Sequence, residues 1–193
     1  MKILQNNVLM DEKDLVRRCR TGEPGARQEM YETYAGRVLA VCRRYIRESD
    51  RAQDLLHDTF LKAWDSLGSF HPRRTGSLGA WLSQIAAHLA VDELRRRKLL
   101  VQEDTSFAGL TEEPPVDETR LRQVPVEELI ELIAALPEGY RAVFNLFCLD
   151  GLSHREIARL LGITEKTSQT QYLKARHKLA AMIAAKYGND EKE

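Results

Sequence analysis

The stretch "SHREIARLLGITEKTSQTQYLKARHKL", residues 153–179, decides the architecture of this chain. Ser153 followed three residues later by Glu156 is a capping-box pattern. Each side chain satisfies a backbone N–H of the other, so a helix starts at Ser153. Ile157, Leu160 and Leu161 supply its apolar face, and small Ala158 lets a second helix approach closely. Gly162 stands where that helix must end in a left-handed conformation. Thr164 is placed to cap the next helix, with Lys166 and Thr167 in its first turn. Helix, short glycine turn and helix make a helix-turn-helix, whose second helix enters the major groove of DNA.

On that second helix Lys166, Gln169, Thr170 and Lys174 share one side, with Gln171 beside them. Gln bonds adenine in a bidentate way, Thr meets a thymine methyl, and Lys meets guanine or phosphate. Arg176 and Lys178 suit the phosphate backbone, which positions a helix but reads no bases. The alternative is a polar, solvated face on a packing helix. Cap, turn and basic excess together favour DNA reading. On these residues alone the module suits any repressor, activator or response regulator.

DNA is an acidic partner, yet the chain has 29 basic and 29 acidic residues and no net charge. The neutral total hides a partition. From His71 to Leu100 six basic residues face two acidic ones. From Val101 to Val126 two basic residues face six acidic ones, and from Arg155 to Lys186 seven basic residues face two acidic ones. Local potential within a Debye length of about 10 Å attracts phosphate, so the partition matters more than the total.

Hydrophobic residues make up 43% and charged residues 30% of the 193, enough to bury cores and exclude a disordered chain. Strand-like alternation is absent and helical spacing dominates. Helices are expected at about 11–20, 26–48, 51–67 and 78–99, then 126–136, 138–149, 153–161 and 164–187. "GSFHPRRTGSLG", residues 68–79, breaks the pattern as a loop. The acidic stretch 101–125, with its Pro114–Pro115 pair, reads as a flexible linker. The expected fold is therefore all-α, with two small helical domains joined by that linker, the second carrying the helix-turn-helix. Residues 1–10 are an extension, 11–100 the first domain, 126–187 the second and 188–193 a tail.

Cys19, Cys42 and Cys148 sit far apart within apolar helical patterns, which favours reduced packing roles over zinc or a disulfide. No run reaches the roughly 18 apolar residues of a membrane span, and "MKILQNNVLMDEKD" lacks a secretory core. A cytoplasmic protein without membrane insertion is expected, beginning at Met1 or Met10.

In "AQDLLHDTFLKAWDSL", residues 52–67, positions 52, 55, 56, 59, 60, 63, 64 and 67 form a buried stripe. The opposite face carries Asp54, Asp58, Leu61 and Asp65. One apolar residue among three carboxylates suits a partner helix offering arginine and an apolar contact. A solvated acidic face with one stray leucine is the plain alternative. Next, Phe70 and Trp81 lie near the cations Arg73 and Arg74, and the following helix ends in Arg95, Arg96, Arg97 and Lys98. Rings beside cations serve single-stranded bases, giving faces for stacking and charge for phosphates. Trp81 is equally explained as core with Leu78, Leu82, Ile85 and Leu89. Terminal cations also complement a helix dipole.

These pieces, in this order from about Asp11 to Ile183, resemble a sigma factor of the extracytoplasmic-function (ECF) type, the smallest branch of the sigma-70 family. "AQDLLHDTFLKAW" resembles the core-polymerase helix of its second conserved region. "GSLGAWLSQIAAHLAVDELRRRK" resembles the part that opens the promoter and reads the −10 element. "LPEGYRAVFNLFCLDGLSHREIARLLGITEKTSQTQYLKARHKL" resembles the fourth region, which reads the −35 element. The resemblance implies that Asp54, Leu55, Asp58, Leu61 and Trp64 lie in or under a surface meeting the clamp coiled coil of the β′ subunit. It implies that Phe70, Arg73, Arg74, Trp81, His88, Arg95 and Arg96 hold the opened −10 strand. Lys166, Gln169, Thr170, Gln171, Lys174, Arg176 and Lys178 would sit on −35 DNA, with this domain against the β flap. The acidic linker would lie in the polymerase's RNA channel, and an anti-sigma factor is an expected partner.

The sequence also departs from the family pattern. His57 and Asp58 stand where Gln and Glu are common, His88 where Asn is, Lys166 where Gly is and Gln169 where Lys is. Neither catalysis nor a cofactor is expected. A metal phosphohydrolase would need further His and Asp ligands beyond His57 and Asp58, and no Walker loop or nucleophile elbow occurs. The competing reading is a two-domain helix-turn-helix repressor or activator. That would call for an effector pocket or a phosphoacceptor Asp at a strand end.

Overall fold

In a computed structural model of the chain, the structure describes residues 2–71, 76–96 and 124–187, with the side chains of the first helix from Glu12 onward. Arg73, Arg74, Arg97 and Lys98, and nearly all of the expected acidic linker, lie outside these residues. The described elements are helical throughout: α1 (Lys2–Thr21), α2 (Ala26–Tyr45), α3 (Ser49–Ser66), α4 (Ser77–Arg96), α5 (Val126–Ala134), α6 (Glu138–Phe144), α7 (His154–Leu161) and α8 (Glu165–Tyr187). The chain separates into two compact units, Met1–Ala90 and Val91–Glu193. None of the described helices is long and apolar enough to cross a membrane.

In the first unit α2 and α3 pair through Met30, Val38 and Cys42 on one side and Leu55, Leu56 and Phe60 on the other, all buried. The Tyr31 and Phe60 rings meet at 4.8 Å. Thr59 is buried in this row because its hydroxyl donates to the Leu55 carbonyl at 2.7 Å, satisfying itself within its own helix. Burial pushes the Cys42 thiol up to about 11 and raises that of Cys19, so neither supplies a reactive thiolate. Arg18 ties α1 to α2, donating to both Glu29 oxygens at 2.7 and 2.9 Å and to Asp14 at 2.8 Å. These pairs are exposed and contribute little.

In the second unit Ile133, Leu136, Tyr140, Ala175 and Leu179 form the core, flanked by Leu129, Leu132, Phe144 and Met182. Arg141 is buried within it, 1% exposed, because its guanidinium donates to the carbonyls of Ala134 (2.7 Å) and Leu136 (3.1 Å). It thereby satisfies carbonyls that the end of α5 leaves without helical partners. At the far end of α8, Lys186 and Tyr187 both engage the Glu128 carboxylate on α5.

Three expectations shift. α1 starts at Lys2, not near residue 11, since no Pro or Gly interrupts residues 2–21. The helix expected at 138–149 is instead α6 followed by a π-helical turn, Asn145–Leu149. That wider turn slips the side-chain phase, and Cys148, expected in an apolar core, is exposed. α2 stops at Tyr45 because Ile46 turns extended, with φ −112°.

Candidate docking and nucleic-acid interfaces

α3 separates two faces. Ala52, Leu55, Leu56, Thr59, Phe60 and Ala63 point inward and are buried, while Asp54, Asp58, Leu61 and Asp65 are exposed. Leu61 is 57% exposed. None of the three carboxylates is ion-paired to another described residue, so each keeps its acceptors available. Leu55 supports the ridge from beneath, and half-buried Trp64 flanks it, its ring 5.9 Å from Phe60 and 5.5 Å from the Arg27 guanidinium. The result is an acidic ridge with one apolar knob on a rigid helix.

On α4, Trp81, His88 and Arg95 recur every seven residues, so they line one side over successive pairs of turns. Trp81 is half-buried, His88 and Arg95 exposed. Trp81 is partly core: its ring stacks on Phe70 with centroids 4.5 Å apart and planes 24° apart, and the residue stays partly open. Phe70 was expected to touch the opened strand. Its ring is 8% exposed and taken up by this stack, so it backs Trp81 instead of presenting a face. Arg95 pairs with Asp92 at 2.9 Å and Arg96 with Glu93 at 3.6 Å, both cations being exposed.

The helix-turn-helix forms around three local devices. Ser153 N–H donates to Glu156 Oε2 at 2.8 Å and Glu156 N–H to Ser153 Oγ at 3.3 Å, closing the capping box. The Ser153 hydroxyl and N–H hold the Glu156 carboxyl below the usual range. Gly162 takes φ +69°, and Ile163 N–H donates back to Ala158 at 3.0 Å, ending α7 as a Schellman turn. Thr167 N–H donates to Thr164 Oγ1 at 3.0 Å, capping α8. His154 then locks the two helices. Its ring stacks on Phe147 at 4.4 Å, and its Nδ1 shares a hydrogen bond with the buried Ser168 hydroxyl at 2.9 Å.

Along α8, Lys166, Gln169 and Thr170 are exposed. Thr170 turns its hydroxyl back to the Lys166 carbonyl at 2.9 Å, which leaves its methyl as the outward group. Lys174, Arg176 and Lys178 are half-buried; the Lys174 ammonium lies 6.0 Å from the Tyr140 ring and the Arg176 guanidinium 5.8 Å from that of Tyr172. Gln171 requires a correction. It was placed beside the base-reading residues, but it is 7% exposed and belongs to the inward row Ser168, Gln171, Ala175 and Leu179.

Residues 30–99 match the family model for Sigma-70 region 2, and residues 126–179 that for Sigma-70, region 4. The ECF RNA polymerase sigma factor EcfG of Rhodopseudomonas palustris (strain TIE-1) is 30% identical over 148 residues, 74% of this chain and 79% of that protein. This chain belongs to the ECF sigma factors of the sigma-70 family. The ECF RNA polymerase sigma factor SigW of Bacillus subtilis (strain 168) is 25% identical, covering 89% of this chain and 96% of that protein. SigK of Mycobacterium sp. (strain KMS) is 24% identical, covering 81% and 82%.

As an ECF sigma factor the protein is an alternative, DNA-binding initiation factor that directs transcription. Among its described residues no cluster of His, Cys, Asp and Glu is arranged to hold a metal ion. Two charged side chains of this sigma factor escaped notice in the sequence, Glu12 and Arg20, which hold the residues on either side of the Phe70–Trp81 stack. Glu12 had a signal: it occupies the apolar stripe of α1 with Leu15, Val16 and Cys19.

Proposed function

We propose that the α3 ridge docks this sigma factor on the β′ clamp coiled coil of core RNA polymerase, with Asp54, Asp58 and Leu61 in the contact and Leu55 and Trp64 supporting it. The outward side of α4, through Trp81, His88, Arg95 and Arg96 with Arg73 and Arg74, takes the opened −10 strand. α8 reads the −35 duplex through Lys166, Gln169 and Thr170, while Lys174, Arg176 and Lys178 hold phosphate, and its domain rests on the β flap. The functional segments are 11–100, a linker at 101–125 in the RNA channel, and 126–187, between an extension at 1–10 and a tail at 188–193. An anti-sigma factor masking these surfaces belongs to the same reading, as does a cytoplasmic site of action.

The observation that carries the reading is Leu61, 57% exposed among carboxylates free of ion pairs to described residues, on a helix whose other face is core. An exposed leucine ringed by acceptors suits a partner more than solvent. The test replaces Leu61, His88 or Gln169, one at a time, with a photo-crosslinking amino acid in holoenzyme bound to promoter DNA. Label should pass to β′ from position 61, to the non-template strand near −10 from 88, and to upstream duplex from 169. Label from position 61 on DNA, or from 169 on polymerase alone, contradicts the assignment.

A further inference from the structure

α1 grips the Trp81 stack from both sides. Arg20, in its last turn, donates from Nε and Nη2 to the Leu67 carbonyl at 3.1 and 2.9 Å, from Nη2 to that of Gly68 at 3.5 Å, and also to that of Phe70. The guanidinium fork thus closes over the carbonyls left by the end of α3 and its following 3-10 turn, and it fixes the backbone that carries the Phe70 ring. Two turns earlier, Glu12 is 4% exposed. Its Oε1 accepts from Gly76 N–H at 3.1 Å and from the Tyr34 hydroxyl at 3.2 Å, and its Oε2 from the Ser77 hydroxyl at 3.5 Å. Gly76 takes φ +78°, which aims its N–H at the carboxylate and which a side chain would resist. A carboxylate at the first turn of α4 also complements that helix's dipole. Burial and then the nearby Glu12 carboxylate hold the Tyr34 phenol above its usual range, keeping it a donor.

We propose that Glu12 and Arg20 are positioning residues for capture of the opened −10 strand. They act through Trp81, which lies one turn into α4 and is backed by Phe70. Arg20 sets the backing ring, and Glu12 sets the helix turn from which Trp81 projects. The two anchors stand eight positions apart on α1, about 12 Å along its axis, with a rigid helical spacer between them. Stacking a base on an aromatic face loses affinity when that face must be ordered during binding. Preset from both ends, Trp81 meets the base already oriented. The inference rests on the proposed role of the α4 face.

The test titrates holoenzyme with a single-stranded DNA of about 20 nucleotides, the non-template −10 segment of a promoter defined by its own transcript start. Core affinity and melting temperature are measured on the same preparations. Arg20→Gln and Glu12→Ala should weaken strand binding about tenfold or more with core affinity changed less than twofold. Arg20→Lys and Glu12→Gln, which keep a donor or acceptor in place, should recover part of the loss. Arg17→Gln, an exposed change on the same helix, should do nothing. Unchanged strand binding in folded Arg20→Gln and Glu12→Ala overturns the inference, as does a loss matched by equal loss of core affinity. Strand binding absent in the unsubstituted holoenzyme removes the α4 reading itself, a result separable from either.

Discussion

Leu61→Ala is the perturbation that best isolates docking from folding. Fully burying a leucine side chain stabilises by roughly 1.5–3 kcal/mol, and 57% of Leu61 still faces water for a partner to cover. Its share of the contact is therefore about 1–1.7 kcal/mol, a five- to fifteen-fold change in dissociation constant, with the alanine methyl retaining a little of it. The isolated fold has little to lose, because surface changes away from special features stay within about 0.5 kcal/mol and alanine is the better helix former. Leu61→Arg should be harsher. Asp58 and Asp65 lie three and four residues away, so the introduced guanidinium can pair with both and cover the acceptors that the partner needs. Titration of labelled core polymerase, alongside thermal melts, measures both changes. Core affinity unmoved by either substitution refutes the docking assignment, and a loss accompanied by a several-degree drop in melting temperature reduces it to a folding effect.

Three further outcomes follow from the second unit. Lys174→Ala should weaken duplex binding on every sequence and lower the salt slope by about one, whereas Gln169→Ala should relax preference at one base; filter binding across salt and sequence variants separates them. Arg141→Met leaves the carbonyls of Ala134 and Leu136 without this donor, so chemical denaturation of that unit should show a loss of roughly 2–4 kcal/mol. Burial holds the His154 imidazole below the usual histidine range, with Glu165 pulling weakly the other way. A folded value below the unfolded one means full stability above about pH 6.5, lost as pH falls through the folded value. The melting temperature of this unit should fall between pH 7.5 and 5.5, and His154→Phe should flatten that slope.

What the sequence made legible were features with local causes. The capping box, Gly162 and Thr164 each act within four residues, so the helix-turn-helix is written into its own stretch. The two faces of α3 were equally plain, because the apolar stripe and the acidic ridge never mix. Features with distant causes were not. Gln171 and Ser168 are polar yet buried, since α8 packs on α6 and α7 along a row that hydrophobicity does not mark. Phe70 looked free for bases because only the fold brings Trp81 against it. Arg20 reads as an ordinary terminal cation, and its partners lie 47 to 50 residues away. The π-helical turn at Asn145–Leu149 carries no residue signature, so the phase slip that exposes Cys148 could not be anticipated.

The most direct measurement is run-off transcription on the source organism's genomic DNA, with core polymerase alone and with this chain added, mapping RNA 5′ ends. The account predicts a set of start sites absent from core alone, sharing two short sequence blocks upstream at a constant spacing. A map identical to that of core polymerase alone would contradict it.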